Sequence, residues 1–410
     1  MSIDKSAIEK EINGPVDKIS IIKLVDLLIE YAYQARASDI HIDPGEDKVK
    51  IRLRIDGVMQ TVFAIDKSIQ EEIISRIKVL SDLRIDEHQA PQDGRFKVSL
   101  TEKAAKVQFD VRVSIMPTYY GENAVLRLLV EQGRSFGFED IGLSEKDYER
   151  VKRAIKRTFG MILVTGPTGS GKTTTLYTIL KTLNKPGVSI ITIEDPIEYS
   201  LEGTNQIQVN SKTELTFANG LRSILRQDPN IIMVGEIRDQ ETANIAVNAA
   251  LTGHLLLSTL HTNDSATALP RLLDMKIEPF LIASTVNVVV GQRLVRKICV
   301  DCKAKKALTE SEAKTIKNIL PNSKEESLKQ LYTGKGCKVC DNTGYLGRIG
   351  IYEVLEVTEA IRTAIVQKQS AADIRKIAMQ EGMTTILEDG LKKAEQGITT
   401  IEEVLRVMNE

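Results

Sequence analysis

Gly166-Pro167-Thr168-Gly169-Ser170-Gly171-Lys172-Thr173 satisfies the phosphate-binding pattern G-x-x-x-x-G-K-[ST] at every position. Its glycines let backbone N–H groups turn inward on an anion with no Cβ in the way. The Lys172 amine can reach β- and γ-phosphates and the Thr173 hydroxyl can ligate Mg²⁺, with Thr174 completing the nucleotide-binding set. Hydrolysis also needs a held metal, an oriented water and positive charge on the phosphates. Glu236 is the candidate Mg²⁺-side acid, acting through water, because Gly235 stands where such strands usually carry an Asp. Glu194, Asp195 and Glu198 are candidates for the base that polarises water, and spacing does not choose among them. His254 and His261 flank one apolar run and are candidates for sensing the γ-phosphate or holding the water. Arg222 and Arg226 stand four residues apart on a predicted helix, hence on one face, where they meet phosphate or only Asp228. Cys299-x-x-Cys302 and Cys337-x-x-Cys340 account for all four cysteines, and two such knuckles point to a structural Cys₄ zinc site.

Positioning these groups requires strands that end beside one another. Met161–Thr165 reads as a buried strand before the glycine loop, and Thr174–Leu180 as a helix after it. Further strands are predicted over Val188–Ile193, Ile231–Val234 and Leu255–Thr259, each running into one of the acidic or histidine motifs. Strands alternating with helices from Leu143 onward predict a parallel sheet with crossover helices, whose ligands bind past the carboxyl ends of the strands. Upstream, helical spacing over Ile21–Ala32 is followed by a strand at Ala37–Pro44. Alternation of Val49, Ile51, Leu53 and Ile55 with Lys50, Arg52 and Arg54 then ends in an Asp56-Gly57 turn. Val107 to Ile115, carrying Arg112, and Ala124 to Val130, carrying Arg127, complete a small α+β domain with one arginine-bearing sheet face. After Val354 the chain turns helical, with starts at Ser370 and Thr400 and stops at Gly382 and Gly397.

Composition bounds the rest. A 410-residue chain with 42% hydrophobic and 27% charged residues predicts a soluble globular protein of two or three domains. A net charge of −1 gives no support to a nucleic-acid-coating surface. No run approaches the ~18 apolar residues of a membrane span. With no apolar signal after Met1, the expected compartment is the cytoplasm, where cysteines stay reduced.

Taken together, these motifs resemble those of the type II secretion and type IV pilus assembly ATPases, members of the secretion ATPase superfamily. The resemblance also rests on Ala37-Ser-Asp-Ile-His-Ile42, Arg54-Ile-Asp-Gly57, Pro91-Gln-Asp-Gly-Arg95 and Gly121-Glu-Asn123. Thr192–Glu198, Leu225–Pro229, Gly235–Asp239 and Thr252–Asp264 follow in the family's order. It implies an α/β, RecA-like P-loop ATPase domain over 139–410, with its Cys₄ zinc module at 297–346 and C-terminal helices at 356–410. A PAS-like α+β domain at 20–130, a tail at 1–19 and a linker at 131–138 make up the rest. It further implies a homo-hexameric ring acting on an inner-membrane platform protein and coupling ATP hydrolysis to pilus assembly or protein secretion. Glu198 resembles the family's catalytic glutamate and Glu236 its metal-side acid. Arg112 and Arg127 resemble its first-domain phosphate ligands, and Arg222 and Arg226 a second pair. The Cys₄ module favours extension over retraction. The family's extra membrane-docking N-terminal domain has no counterpart in the sequence, so recruitment and cyclic-dinucleotide control stay open. Competing expectations are a nucleic-acid translocase, disfavoured by neutral charge and 4% aromatics, and a nucleotide-gated scaffold, disfavoured by the retained strand-end acids.

Overall fold

The computed structural model describes residues 5–15, 18–102, 105–130, 137–307 and 331–409. The chain divides into two compact units, Met1–Arg134 and Ser135–Glu410. Most of the expected linker, up to residue 136, lies outside the described residues.

The first unit begins with α1 (Lys5–Ile12) and α2 (Ile21–Gln34), then β1 (Ala37–Pro44), β2 (Lys48–Ile55) and β3 (Val58–Asp66). After α3 (Gln70–Leu80) come β4 (Gln92–Glu102), β5 (Ala105–Thr118) and β6 (Gly121–Leu129). The six strands form one sheet in the order β3-β2-β1-β6-β5-β4. Asp56 and Gly57 both adopt positive φ, 49° and 88°, as a two-residue hairpin turn demands. The alternation seen in the sequence sorts Val49, Ile51, Leu53, Val111 and Val113 onto the face covered by Leu24 and Leu28 of α2 and Ile73 and Ile77 of α3. Within the stretch read as a tail, α1 is instead part of this core: Ile8 is fully buried, which contributes about 2 kcal/mol. Under the sheet, Lys78 is fully buried with its amine 2.7 Å from a Glu122 carboxylate oxygen. Lys78→Met leaves that buried carboxylate with His88 (2.8 Å) as its remaining ionisable partner, and thermal or urea melts should show a loss of about 3 kcal/mol. Restoring neutrality with Glu122→Gln in the same chain should recover part of the loss, and a single mutant melting like the wild type would contradict this account.

The second unit opens with α4 (Phe138–Ile141), α5 (Glu145–Ile155), β7 (Gly160–Thr165) and α6 (Lys172–Leu183). It continues through β8 (Ile190–Glu194), β9 (Asn205–Gln208), α7 (Phe217–Ile224), β10 (Ile231–Val234), α8 (Gln240–Leu251) and β11 (Leu255–Leu260). Next are α9 (Ser265–Asp274), α10 (Pro279–Thr285), β12 (Val286–Ile298), β13 (Lys303–Lys306), β14 (Leu331–Gly334) and β15 (Tyr345–Glu356). Four helices close the chain: α11 (Glu359–Val366), α12 (Ala371–Gln380), α13 (Ile386–Glu395) and α14 (Ile401–Asn409). The main sheet runs β15-β12-β7-β11-β10-β8-β9, parallel except for the antiparallel β12–β15 pair. Every residue of β7, β8, β10 and β11 is buried, as continuous apolar runs between two helical layers must be. Side chains of α7 to α12 cover one face. Val151 of α5 and Leu176 and Tyr177 of α6 cover the other. The long β12 and β15 were not foreseen as sheet strands. No described helix is long and apolar enough to cross a membrane.

Candidate nucleotide site and metal centre

Because β7 is an interior strand and β11, β10 and β8 follow it in parallel, the loops after β7, β8, β10 and β11 emerge on one edge. Gly166, Gly169 and Gly171 take φ of 145°, 78° and 87°, which residues with a Cβ rarely adopt. A Cβ on Gly166 would stand 2.5 Å from the Gln292 carbonyl oxygen and 2.6 Å from Ser170 Oγ. The loop therefore closes tightly on itself, and Pro167 and Thr168 span its rim before Gly171 caps α6. Ser170 Oγ is buried with no hydrogen-bond partner, a polar atom in want of an acceptor or donor inside an anion-binding turn. Lys172 Nζ donates to the carbonyls of Gly166 (2.9 Å) and Pro167 (3.0 Å). Burial lowers its pKa to about 8, opposed by Glu236 and helped by the charge of Arg293. Thr173 and Thr174 occupy the first turn of α6.

The acids divide cleanly. Glu236, just past β10, is 8% exposed and bracketed by Arg238 (2.6 Å) and His261 Nε2 (2.9 Å). His261 thus belongs to the site edge. His254 does not: it precedes β11, donates from Nδ1 to the Ala249 carbonyl (3.0 Å), and its own carbonyl pairs with Gly160 at the start of β7. At ~3.3 Å per strand residue this is about 20 Å from the loop, so the expectation for His254 is corrected. Glu194 is corrected as a base candidate as well. It is buried and accepts from Tyr177, Thr192 (2.6 Å) and Gln206 (3.1 Å), whereas Asp195 and Glu198 are exposed. Asp239 and Asp264, embedded in the recognised motifs, are N-caps of α8 and α9, accepting from the backbone N–H of Thr242 and Thr267.

The arginines also redistribute. Helix α7 ends at Ile224, so Arg226 lies in the following turn, donating to the Arg222 carbonyl (3.1 Å) and Ser223 Oγ (3.1 Å). The two side chains are therefore neighbours without sharing a helix face, and Arg222 pairs with Glu241 (2.6 Å). In the first unit, Arg95, Arg112 and Arg127 stand opposite one another across β4, β5 and β6, and the same row continues through Asp39 to Arg54. Asp39 is buried and lies 2.8 Å from Arg127 and 3.6 Å from Arg54, which leaves four cations and one acid along one polar row.

Two residues beside the loop were missed. Gln292 and Arg293 follow the last β12 residue paired with β7, Gly291 opposite Thr165. Gln292 donates from Nε2 to the Ser170 carbonyl (2.6 Å) and accepts at Oε1 from Thr175 (2.7 Å), bracing the loop from beneath. A Gly-Gln-Arg triplet ending an apolar run was the available signal.

Away from the nucleotide edge, the four cysteine sulfurs lie within 4.8 Å of one another. Cys299–Cys337 and Cys302–Cys340 are separated by 3.8 Å, and Cys337–Cys340 by 3.7 Å. A tetrahedral ion about 2.3 Å from each sulfur requires edges of about 3.8 Å, so the donor set fits a metal. Burial pushes the Cys340 thiol up, but the N–H groups of Cys337 and Gly344 more than offset it and bring it to about 7.

A phosphate loop on an open, mostly parallel sheet, with acids at the ends of β8 and β10 on the same edge, defines a P-loop ATPase fold. The chain belongs to the type II/IV secretion system protein family, whose model matches residues 15–406. It is 46% identical over 403 residues to the type IV pilus assembly ATPase PilB of Thermus thermophilus, covering 98% of this chain and 44% of that one. It is 45% identical over 395 residues to type II secretion system protein E of Aeromonas hydrophila, covering 96% and 77%. The chain thus spans under half of the Thermus relative and about three quarters of the Aeromonas one. Among solved structures, the Legionella pneumophila ATPase DotB superposes with a TM-score of 0.68 at 22% identity, over 97% and 98% of the two chains. The pilus retraction motor PilT with bound ADP gives 0.60 at 26% identity, over 93% and 96%.

Proposed function

We propose that this chain is a Mg²⁺-dependent ATPase that powers type IV pilus assembly or type II protein secretion. It works as a homo-hexamer on the cytoplasmic side of an inner-membrane platform protein. The observation that carries the reading is the junction of the phosphate loop with Glu236, held beside it by Arg238 and His261, in a chain of this family. Backbone N–H groups of 168–173 and Lys172 bind the triphosphate; Ser170 Oγ offers the hydroxyl left unmatched inside the turn. Thr173 and Glu236 would hold Mg²⁺, which neutralises charge on the β- and γ-oxygens when bound. Glu198 is the base that orients water: Glu194 is committed to protein partners, and of the two exposed acids Glu198 is the one whose place in the motif resembles the family's catalytic glutamate. His261 steadies Glu236, while Arg112, Arg127, Arg222 and Arg226 supply cations to phosphate. The four cysteines hold Zn²⁺ as a structural ion. Their presence fits an assembly motor better than a retraction motor.

The test is direct. The purified chain should release phosphate from ATP only with Mg²⁺, elute as a ring of six, and restore pili or secretion when returned to a host deleted for it. Rings that bind ATP but release no phosphate, even with the platform protein's cytoplasmic part added, would point to a nucleotide-gated scaffold.

A further inference from the structure

The acid that the strand-end pattern offers first, Glu194, is the centre of a buried clasp. Its carboxylate accepts from Tyr177 Oη, from Thr192 Oγ1 (2.6 Å) and from Gln206 Nε2 (3.1 Å). Tyr177 belongs to α6, one and a half turns past Lys172, and is fully buried. Its hydroxyl also accepts from Gln206 Nε2 (3.3 Å). Tyr199 meets the Tyr177 ring edge-on at 4.7 Å between centroids, and Lys181 of the same helix lies over Tyr199 at 5.5 Å. From the other side, Gln206 of β9 stands opposite Thr192 in the sheet. It donates to the Tyr199 carbonyl (3.2 Å) and accepts from the Leu201 N–H (2.6 Å). The 195–204 segment is thus tethered to the phosphate-loop helix, through Tyr177, Lys181 and the capping Asn184, and to Gln206 of β9, which itself donates to Glu194. Burial, and next the Glu194 charge, push the Tyr177 phenol up, so it stays a donor at any working pH.

We infer that Tyr177, Glu194 and Gln206 are positioning residues that fix the exposed Glu198 carboxylate against the phosphate loop, so that loop and base move as one body. The inference rests on Glu198 being the base. Orientation of a water-activating group is sensitive to small displacements: about 1 Å of misplacement can lower a rate about a hundredfold without touching substrate binding. Tyr177→Phe removes the hydroxyl that ties the phosphate-loop helix to Glu194 and Gln206. Gln206→Met, close in shape, releases Tyr199 and Leu201 yet leaves Glu194 paired with Tyr177 and Thr192, so it tests the idea should Tyr177→Phe fail to fold.

Four variants in assembled rings, Tyr177→Phe, Gln206→Met, Glu194→Gln and Glu198→Gln, separate the possibilities. Expected are a kcat lower by about tenfold to a hundredfold for the first two, with KM for ATP within about twofold in protein that still assembles. Hydrogen exchange of backbone amides in 195–204 should quicken in both, with phosphate-loop amides unaffected. Glu194→Gln, which keeps an acceptor oxygen, should retain most of the rate, and Glu198→Gln should have none. Normal kcat in Tyr177→Phe and Gln206→Met beside a dead Glu198→Gln overturns the clasp and leaves the base assignment standing. An active Glu198→Gln removes the base assignment and the clasp with it, and if Glu194→Gln is then the dead variant, Glu194 is itself the base.

Discussion

Lys172→Ala should lower ATP turnover by about a thousandfold or more, and it should do so without destabilising the protein. The amine sits over two loop carbonyls in a partly desolvated position, and that burial draws its pKa from 10.5 to about 8. A cation kept there with only carbonyl oxygens and a second-rank contribution from Glu236 is held below its ordinary stability. Phosphate supplies the negative charge that the fold withholds, so binding energy and transition-state charge stabilisation both pass through this group. The pH dependence follows with a definite sign. Nucleotide selects the protonated amine, so affinity is complete below about pH 8 and declines by up to about tenfold per unit above it, until the raised pKa of the complex is reached. Folding runs the other way. The unfolded lysine holds its proton up to 10.5, hence stability contributed by this group rises between about 8 and 10.5. Fluorescent-nucleotide titrations from pH 6.5 to 9.5 should show the bend in the wild type and none in Lys172→Ala, which should melt no lower than the wild type. A wild-type affinity flat across that range would mean that Lys172 does not meet the phosphates as the protonated donor.

What could be read from sequence divides along a physical line. The loop, its strand and its helix are contiguous, and their glycine spacing is a local demand of backbone geometry, so they were legible. Cysteine pairs were legible because ligand spacing is local within each knuckle. Sheet direction was legible too, but applied strand end by strand end it separates His261 from His254: in a parallel sheet only the carboxyl end of β11 faces the loop. Gln292 and Arg293 lie more than a hundred residues past Ser170 and become its neighbours only because β12 is placed next to β7. Glu194 and Glu198 could not be ranked by spacing, since what decides between them is a tyrosine on one helix and a glutamine on another strand. Helix α7 stops before Arg226 because Asp228 takes a φ of 50° ahead of Pro229, whose ring bars helical geometry at the residue before it.

Removing the metal from the cysteine cluster should loosen the outer end of the second unit while sparing the phosphate loop. The cluster ties the residues after β12 to those before β15, and closing a long connection this way is where a metal clip stabilises most. The same corner carries the final turns of the chain. The Ile298 N–H donates to the Ile398 carbonyl (2.9 Å), Tyr345 Oη and Thr400 Oγ1 are 2.9 Å apart, and Arg296 reaches Glu403 of α14 at 2.5 Å. Cys337→Ser, or a strong chelator, should therefore abolish metal binding by the cluster, open 297–307, 331–346 and α14 to proteolysis, and lower the melting temperature. The nucleotide affinity should change by less than about twofold, because Gln292, which braces the loop, sits in the buried middle of β12. A visible absorption near ~400 nm would identify an iron–sulfur cluster instead, and a metal-free protein as stable as the loaded one would remove the structural role. Acid distinguishes the metal from its surroundings. Burial opposes the Glu403 charge, but hydrogen bonds from Arg296 and Arg406 prevail and take its pKa to about 2. Stability from that carboxylate is present above its ordinary value of 4.5 and is lost only as pH falls toward 2. Loosening of this corner while the pH is still above about 4.5 therefore reports loss of the ion as its thiolates take up protons, since the adjoining ion pair is intact there.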